Sequence, residues 1–169
     1  MKKTKHRTRN IERRTPNEEP AADWLLHDGE TGGRKYDLEE RLLEFASAVI
    51  DLSEKLPPSR AGNHIANQIL RSGTSPYGNH GEAESAESRE DFVHKLRVCL
   101  KELRETRRWA RLAERKRWAH GDPTLLYVLS ESEELIRIFA ASIQTAQRNA
   151  LAHKRRPAGS FHYPPATAG

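Results

Sequence analysis

The chain has 169 residues and a formal net charge of +5, which suits a single domain that meets a polyanionic partner. Its mean hydropathy is −0.86, and it has no apolar run of the roughly 20 residues that cross a bilayer, so a membrane partner is not expected. The single cysteine, Cys99, excludes an internal disulfide framework and a thiolate metal cage. No apolar segment typical of a secretory signal follows the basic N-terminus, and we therefore expect a cytoplasmic protein.

Both ends of the chain are predicted to be disordered. The first 14 residues carry seven Lys or Arg and one Glu, and the segment up to residue 35 adds prolines, glycines and one short apolar island at residues 24–26. So little apolar surface cannot offset the entropy that is lost on ordering. Residues 154–169 show no apolar periodicity either. We therefore predict a basic arm at 1–35, a folded domain at 36–153 and a tail at 154–169.

The folded domain is predicted to begin with two helices. Asp37 is a suitable N-cap for a helix whose apolar residues share one face, and Pro57 and Pro58 end that helix. The apolar residues are Leu38, Leu42, Phe45, Val49, Leu52 and Leu56. Ser59 caps the second helix, and propensity predicts a loop after Arg71 because four helix-disfavouring residues follow. These residues are Gly73, Pro76, Gly78 and Gly81.

Two longer helices are predicted in the second half of the domain. Ser88 begins a helix that is expected to end near Gly121, and Asp122 followed by Pro123 is a strong signal for the start of the last helix. The apolar face of the last helix holds Leu125, Leu129, Ser132, Ile136, Phe139, Ile143 and Ala146. Four amphipathic segments with short connections predict an all-α fold, an antiparallel up-down four-helix bundle.

Several segments of this domain resemble a widespread family of small bacterial four-helix bundle proteins. The likeness rests on QILRSGTS at residues 68–75, the motif Gly78-Asn79-x-x-Glu82, SREDFVHKL at residues 88–96 and KELRET at residues 101–106, followed by Trp109. The family includes proteins encoded in intervening sequences of large-subunit ribosomal RNA genes. The accessory variability protein of diversity-generating retroelements is a related member.

The resemblance implies more than propensity does. It implies that the second helix continues, bent, through the glycine- and proline-rich segment, and that the protein assembles into a homopentamer. For the retroelement member it further implies a basic surface that binds nucleic acid and a reverse transcriptase partner. Pro76, Tyr77 and the long N-terminal arm depart from the usual family pattern.

Asn79 and Glu82 match the polar positions of the family motif and lie on one face of a helix, three residues apart. They are candidates for ligand binding. The structural interpretation is that Asn79 satisfies backbone groups freed near Pro76, and that Glu82 pairs with a buried arginine such as Arg71.

The most distinctive pattern is a row of six cations on the third helix, which we call the basic stripe. Its residues are Arg97, Lys101, Arg104, Arg108, Arg111 and Arg115. They recur at 4-3-4-3-4 spacing over about 27 Å, on the side of the helix opposite to its apolar face. Glu105 is within reach of Lys101 and Arg108 and can neutralise only part of the repulsion between these cations.

Three interpretations of the basic stripe remain open. It can be a solvated face, a site for nucleic-acid phosphates, or a contact with an acidic helix of another subunit. The acidic candidate is the first helix, with Glu40, Glu44, Asp51 and Glu54 on a common face. The predominance of Arg over Lys favours bidentate contacts with phosphate or carboxylate.

Enzymatic function is not expected, because the chain has no phosphate-binding loop, nucleophile elbow or zinc-protease motif. Asp91 and His94 imitate half of a di-iron motif without the second half, so neither a metal nor another cofactor is expected. The first hypothesis is a non-enzymatic oligomeric scaffold, an accessory to a nucleoprotein or reverse-transcriptase complex. It binds nucleic acid through phosphate contacts of the basic stripe and of the arm from Lys2 to Arg14. The alternatives are an adaptor that docks a protein partner and a metal-binding bundle.

Overall fold

The computed structural model describes residues 38–155 of the chain, with side chains from residue 38 to residue 149. Its regular structure consists of four helices: α1 (Leu38–Glu54), α2 (Arg60–Glu84), α3 (Arg89–Arg115) and α4 (Pro123–Arg155). The prediction of an all-α fold is therefore confirmed. The basic arm, the Asp37 cap and residues 156–169 of the predicted tail lie outside the described residues. The last helix extends two residues into the segment predicted as tail.

The helices form a ring in which each packs against two others. The second and fourth helices both contact α1 and α3, whereas α1 and α3 do not contact each other. The short connections at 55–59, 85–88 and 116–122 make consecutive helices antiparallel, as predicted for an up-down bundle. None of the four helices is long and apolar enough to span a membrane.

The core is built mostly from the apolar faces that the sequence predicts. Phe45 of α1 and Phe139 of α4 are its largest fully buried side chains. They are surrounded by Leu42, Val49, Leu52, Ile69, Leu103, Leu125, Val128 and Leu135, all fully or almost fully buried. Burying side chains of this size stabilises the fold by about 1.5–3 kcal/mol each, before the entropy of ordering is subtracted.

The propensity-based prediction of a loop after Arg71 is wrong, because α2 continues as one helix to Glu84, as the resemblance implied. Its buried face here consists of small residues that let the neighbouring helices approach. A Cβ atom placed on Gly73 would lie 2.5 Å from Cγ1 of Val49, so only glycine permits this packing of α2 on α1. The tertiary contact therefore overrides the low helical propensity of the segment.

The opposite side of this segment contacts α3 through small polar groups. The hydroxyl groups of Ser72 and Thr106 are 2.9 Å apart and fully buried. The Cys99 thiol lies 3.6 Å from the carbonyl oxygen of Pro76, within hydrogen-bonding distance for sulfur. Burial raises the pKa of this thiol to about 12. These contacts provide buried polar groups of both helices with partners.

Three of the predicted helix starts have the expected caps. The Ser59 hydroxyl accepts a hydrogen bond from the backbone N–H of Gly62, and the Ser88 hydroxyl accepts one from Asp91, both at 3.1 Å. The Asp122 carboxylate accepts a hydrogen bond from the Thr124 N–H at 2.7 Å.

The end of α3 differs from the prediction of an end near Gly121. The helix ends at Arg115 in a Schellman motif, in which the Trp118 N–H bonds the Ala113 carbonyl at 3.0 Å and the Arg117 N–H bonds the Glu114 carbonyl at 2.9 Å. Arg117 occupies the left-handed position of this motif with φ of 58°. Glycine is the usual residue there because a Cβ atom is unfavourable in this conformation.

Candidate nucleic-acid interface

The basic stripe lies on the outer face of α3. The inner face of this helix is buried through residues such as Leu96, Leu103 and Ala110, which pack against α2 and α4. All six cations of the stripe are exposed. A straight helix separates the first from the last by about 27 Å.

Most of the stripe lacks intramolecular partners. Lys101 lies 3.8 Å from the Glu102 carboxylate, a long contact on an exposed side chain. The other five members form no hydrogen bond or ion pair with any residue that the structure describes; they are Arg97, Arg104, Arg108, Arg111 and Arg115. Their mutual repulsion is therefore not relieved by an ion pair within the described bundle. Two acids, Glu105 and Glu114, do line the surface depressions that the stripe borders.

Several arginines outside the stripe are paired across helices. Arg41 of α1 forms a bidentate contact with Glu131 of α4. Arg107, on the side of α3 that faces α4, lies 2.8 Å from Glu133. The arginines that lie between helices therefore have carboxylate partners, whereas the arginines of the outward-facing stripe do not have one within the described bundle.

Glu105 does not play the role expected from its position in the sequence. Its carboxylate accepts hydrogen bonds from Arg71 of α2 and from the Trp109 indole N–H, both at 3.3 Å. It has no ion pair with Lys101 or Arg108 among the described contacts. The acid closest in sequence to the middle of the stripe therefore joins α2 to α3, and its ion pair is with Arg71 and not with a residue of the stripe.

The structure adds two residues to the C-terminal end of the basic stripe. The turn after α3 brings Arg117 and His120 beside Arg108, Arg111 and Arg115, around an open depression of about 890 Å³ that we call the arginine depression. Sequence reasoning missed both residues. The cations from Arg115 to Arg117 are visible in the sequence, but their direction depends on where the helix ends and on the left-handed backbone of Arg117.

A groove beside Trp109 runs along the N-terminal part of the basic stripe, from Arg97 to Arg108. Trp109 lines it together with Leu100, Leu112 and the side chains of Arg97, Lys101, Arg104, Glu105 and Arg108. The Trp109 ring is partly buried and makes a T-shaped contact with the His64 ring at a centroid distance of 6.1 Å. Apolar and aromatic surface therefore lies directly alongside the unpaired guanidinium groups.

The family-motif residues do not form the pair that was expected. Arg71 is exposed and contacts Glu105, whereas Glu82 pairs with Lys95 of α3, so the proposed pairing of Glu82 with a buried Arg71 is wrong. The hydrogen bond to Glu82 raises the pKa of Lys95. The error has a simple cause, because α2 is longer than propensity predicts and Glu82 faces α3 near its first turns.

Asn79 forms a hydrogen bond with the backbone next to Pro76, as the structural interpretation predicts, but not with the backbone group that Pro76 leaves without a donor. Its side-chain N–H donates to the carbonyl and hydroxyl oxygens of Ser75, both at 3.0 Å. The carbonyl that Pro76 deprives of a helical donor is that of Ser72, one turn earlier. Asn79 thus reinforces the turn that contains Pro76 and does not repair the missing bond.

The acidic face of α1 is also exposed. Glu44, Asp51 and Glu54 lie at the surface together with Glu40. Because α1 and α3 do not contact each other, this acidic face and the basic stripe lie on different sides of the bundle. Asp91 and His94 belong to no group of three or more His, Cys, Asp or Glu side chains that could hold a metal ion within the described part of the chain.

Comparison with known protein families identifies one family whose model matches this chain. The model of the family described as 23S rRNA-intervening sequence protein matches residues 34–141, more than half of the sequence. The chain belongs to this family. The resemblance inferred from the motifs between Gln68 and Trp109 is thereby confirmed. No protein with a curated description matches the sequence.

The chain is also similar to a solved structure, the 1.70 Å crystal structure of a protein with unknown function from the S23 ribosomal protein family of Bacteroides thetaiotaomicron. The two sequences are 34% identical, and the match covers 63% of this chain and 98% of the other. The TM-score is 0.58. The shared structure agrees with the helical bundle described above.

Proposed function

We propose that this member of the family is a non-enzymatic, oligomeric scaffold whose basic stripe binds the phosphate backbone of nucleic acid. The observation that carries the proposal is the row of five exposed arginines without carboxylate partners, in a bundle that pairs its other interhelical arginines. An anion laid along the stripe would relieve the repulsion between these cations.

The geometry of the stripe suits a phosphate chain better than a single small anion. Duplex DNA carries one charge per roughly 1.7 Å of its axis, so a straight row of about 27 Å can meet several phosphates of one strand or duplex. Arginine offers planar, bidentate donors to phosphate oxygens. Such contacts position a backbone and do not read a base sequence.

The family name refers to an intervening sequence of 23S rRNA, which is a gene location and not a ligand, so both RNA and DNA have to be tested. The resemblance implies a homopentamer, which would present five stripes and increase avidity for a long polyanion. Guanidinium and ammonium groups bind phosphates without acid–base chemistry, and we therefore propose a binding role within a nucleoprotein complex. A reverse transcriptase is one such partner implied by the resemblance.

The test is fluorescence anisotropy with labelled RNA and DNA across a salt series, combined with the mass from light scattering. If the six cations of the stripe all meet phosphates, the logarithm of the affinity should fall against the logarithm of salt with a slope of about −5 for a duplex and about −4 for a single strand. Replacing Arg104 and Arg108 by Glu should abolish binding at physiological salt while the oligomer mass is unchanged.

The matched control is the double replacement of Arg137 and Arg148 by Glu on α4. Both residues are exposed, and the two double variants change the net charge equally. If the α4 variant loses as much affinity as the α3 variant, overall charge and not the stripe is responsible. Absence of binding to either nucleic acid at low salt would refute the proposal.

A second candidate function is a structural adaptor that docks protein, and the exposed acidic face of α1 favours it. In an oligomer the basic stripe of one copy and the acidic face of another are complementary. The same α3 variant separates the two functions. Collapse of the oligomer to monomers on replacing Arg104 and Arg108 would support the contact between subunits.

A further inference from the structure

A second depression lies next to the arginine depression, between the start of α2 and the turn after α3. It has a volume of about 760 Å³ and no acidic side chain in its lining. We call it the Trp118 depression; it is lined by Ala61, Ile65, Leu112 and Trp118, with Arg60, His64 and Lys116 completing the wall. Its floor is thus apolar and aromatic, and two of its wall residues are cations.

The position of Trp118 follows from the Schellman motif that ends α3. The residue after the left-handed position is commonly apolar and packs back on the helix, and Trp118 is this residue. Its ring is partly buried, so part of it packs against the core while the rest remains available to the depression. An indole held in this way is a preorganised surface for stacking.

The Trp118 depression is continuous with the proposed phosphate-binding surface. Leu112, which is 40% exposed, lines this depression, the arginine depression and the groove beside Trp109. A nucleic-acid strand that follows the basic stripe therefore passes the opening of the Trp118 depression. Arg60 and Lys116, the cations of its lining, offer contacts to the phosphates next to a base that enters it.

We propose that the Trp118 depression binds an unpaired nucleobase by stacking, so that the protein prefers single-stranded nucleic acid to duplex. The inference rests on the proposed function, since the basic stripe supplies the backbone contacts. Stacking on an aromatic side chain accepts any base, because every base has a π face. In a duplex the bases are stacked on each other, and only the phosphates can reach the protein.

The experiment compares a labelled 12-nucleotide RNA strand with the 12-base-pair duplex that contains it, using the full chain. Trp118→Leu keeps an apolar side chain against the core and removes the π face. We expect it to weaken binding of the single strand about fivefold or more and to change duplex binding less than twofold. Tyr77→Leu is the matched control, because Tyr77 is an exposed aromatic residue of α2 that lines neither depression.

A second variant avoids any effect on folding at Trp118. Ala61 is exposed near the start of α2, and Ala61→Leu should fill the depression without altering the contacts of Trp118 with the core. We expect the same selective loss of single-strand affinity. Unchanged single-strand binding in Ala61→Leu, or an equal loss for strand and duplex in a folded Trp118→Leu, overturns the nucleobase site and leaves the phosphate-binding scaffold intact. If wild-type protein binds neither probe at low salt, the scaffold itself is refuted, and the nucleobase site with it.

Discussion

Replacement of Gly73 by Ala tests the close packing of α2 on α1. The new methyl carbon would lie 2.5 Å and 2.6 Å from the two γ carbons of Val49 and 3.1 Å from its Cβ. Favourable contacts between carbon atoms lie at roughly 3.5–4.0 Å, so α1 and α2 would have to move apart by about 1 Å. Val49 is fully buried and cannot turn into solvent.

Two opposing effects set the size of the loss in stability. Alanine in place of glycine inside a helix favours the helix by about 1 kcal/mol. Overpacking of a well-packed core costs about 1–3 kcal/mol, and here the strain falls on a branched side chain and two helix backbones. Subtracting the gain from the cost, we expect Gly73→Ala to lower the free energy of unfolding by up to about 2 kcal/mol and the melting temperature by up to roughly 5 °C.

The assay is urea unfolding followed by circular dichroism, with two internal comparisons. A Cβ atom on Gly78 meets no other atom within 4 Å, so Gly78→Ala should raise the free energy of unfolding by about 0.5–1 kcal/mol. Val49→Ala removes the clashing methyl groups and alone should cost about 2 kcal/mol. In the variant that combines Gly73→Ala with Val49→Ala, the methyl group introduced on α2 enters the space vacated on α1. The loss should therefore be at least about 1 kcal/mol smaller than the sum of the single losses.

Two results would refute this reasoning. If Gly73→Ala is as stable as Gly78→Ala, the helices do not approach as closely as the structure shows. If the double variant equals the sum of the single variants, Val49 is not the residue that excludes a side chain at position 73.

Arg117→Gly should raise the free energy of unfolding by about 1 kcal/mol because glycine adopts the left-handed backbone conformation without strain, whereas Arg117→Ala should not raise it. Both variants should weaken nucleic-acid binding if Arg117 contacts phosphate. Ser72→Ala and Thr106→Val should each cost about 1 kcal/mol, and a strictly additive double variant would show that the two buried hydroxyls do not interact. Cys99 should resist the thiol reagent DTNB at pH 8 until the protein unfolds, because burial raises the pKa of the native thiol to about 12. Because the pKa of the Cys99 thiol is higher in the folded than in the unfolded state, the thiol stabilises the folded state fully below about pH 8.5. This stabilisation is lost as the pH rises towards 12. Rapid labelling of the native thiol would contradict the raised pKa.

Apolar spacing predicts most of the fold because it depends only on the period of a helix. The residues from Leu42 to Leu56 that the spacing selects for the first helix and its C-terminal end are all buried. The apolar face predicted for α4 included Leu129 and Ile136, which are only partly buried. It omitted Val128 and Leu135, which are fully buried. A helix that contacts two neighbours buries a face wider than a single stripe, which explains the omission.

The errors concern features that depend on tertiary contacts. Propensity could not show that Gly73 is required by Val49, so it predicted a loop where the helix continues. The partner of Glu82 was wrong for the same reason, since the direction of this side chain follows from the length of α2. The basic stripe could be predicted as an exposed face, whereas Arg117 and His120 enter it through a turn whose left-handed residue is not glycine.

The dependence of α2 on its neighbours has a consequence for the order in which the protein folds. The half of the helix after Arg71 contains three glycines and a proline, so it cannot nucleate helical structure on its own. It becomes helical only when Gly73 packs against Val49 of α1 and Ser72 bonds Thr106 of α3. Three helices must therefore come together in one cooperative event, and a fluctuation that detaches α1 also melts the second half of α2. Backbone amides in this half should consequently exchange with solvent at the rate of global unfolding, although the residues themselves are among the poorest helix formers in the chain.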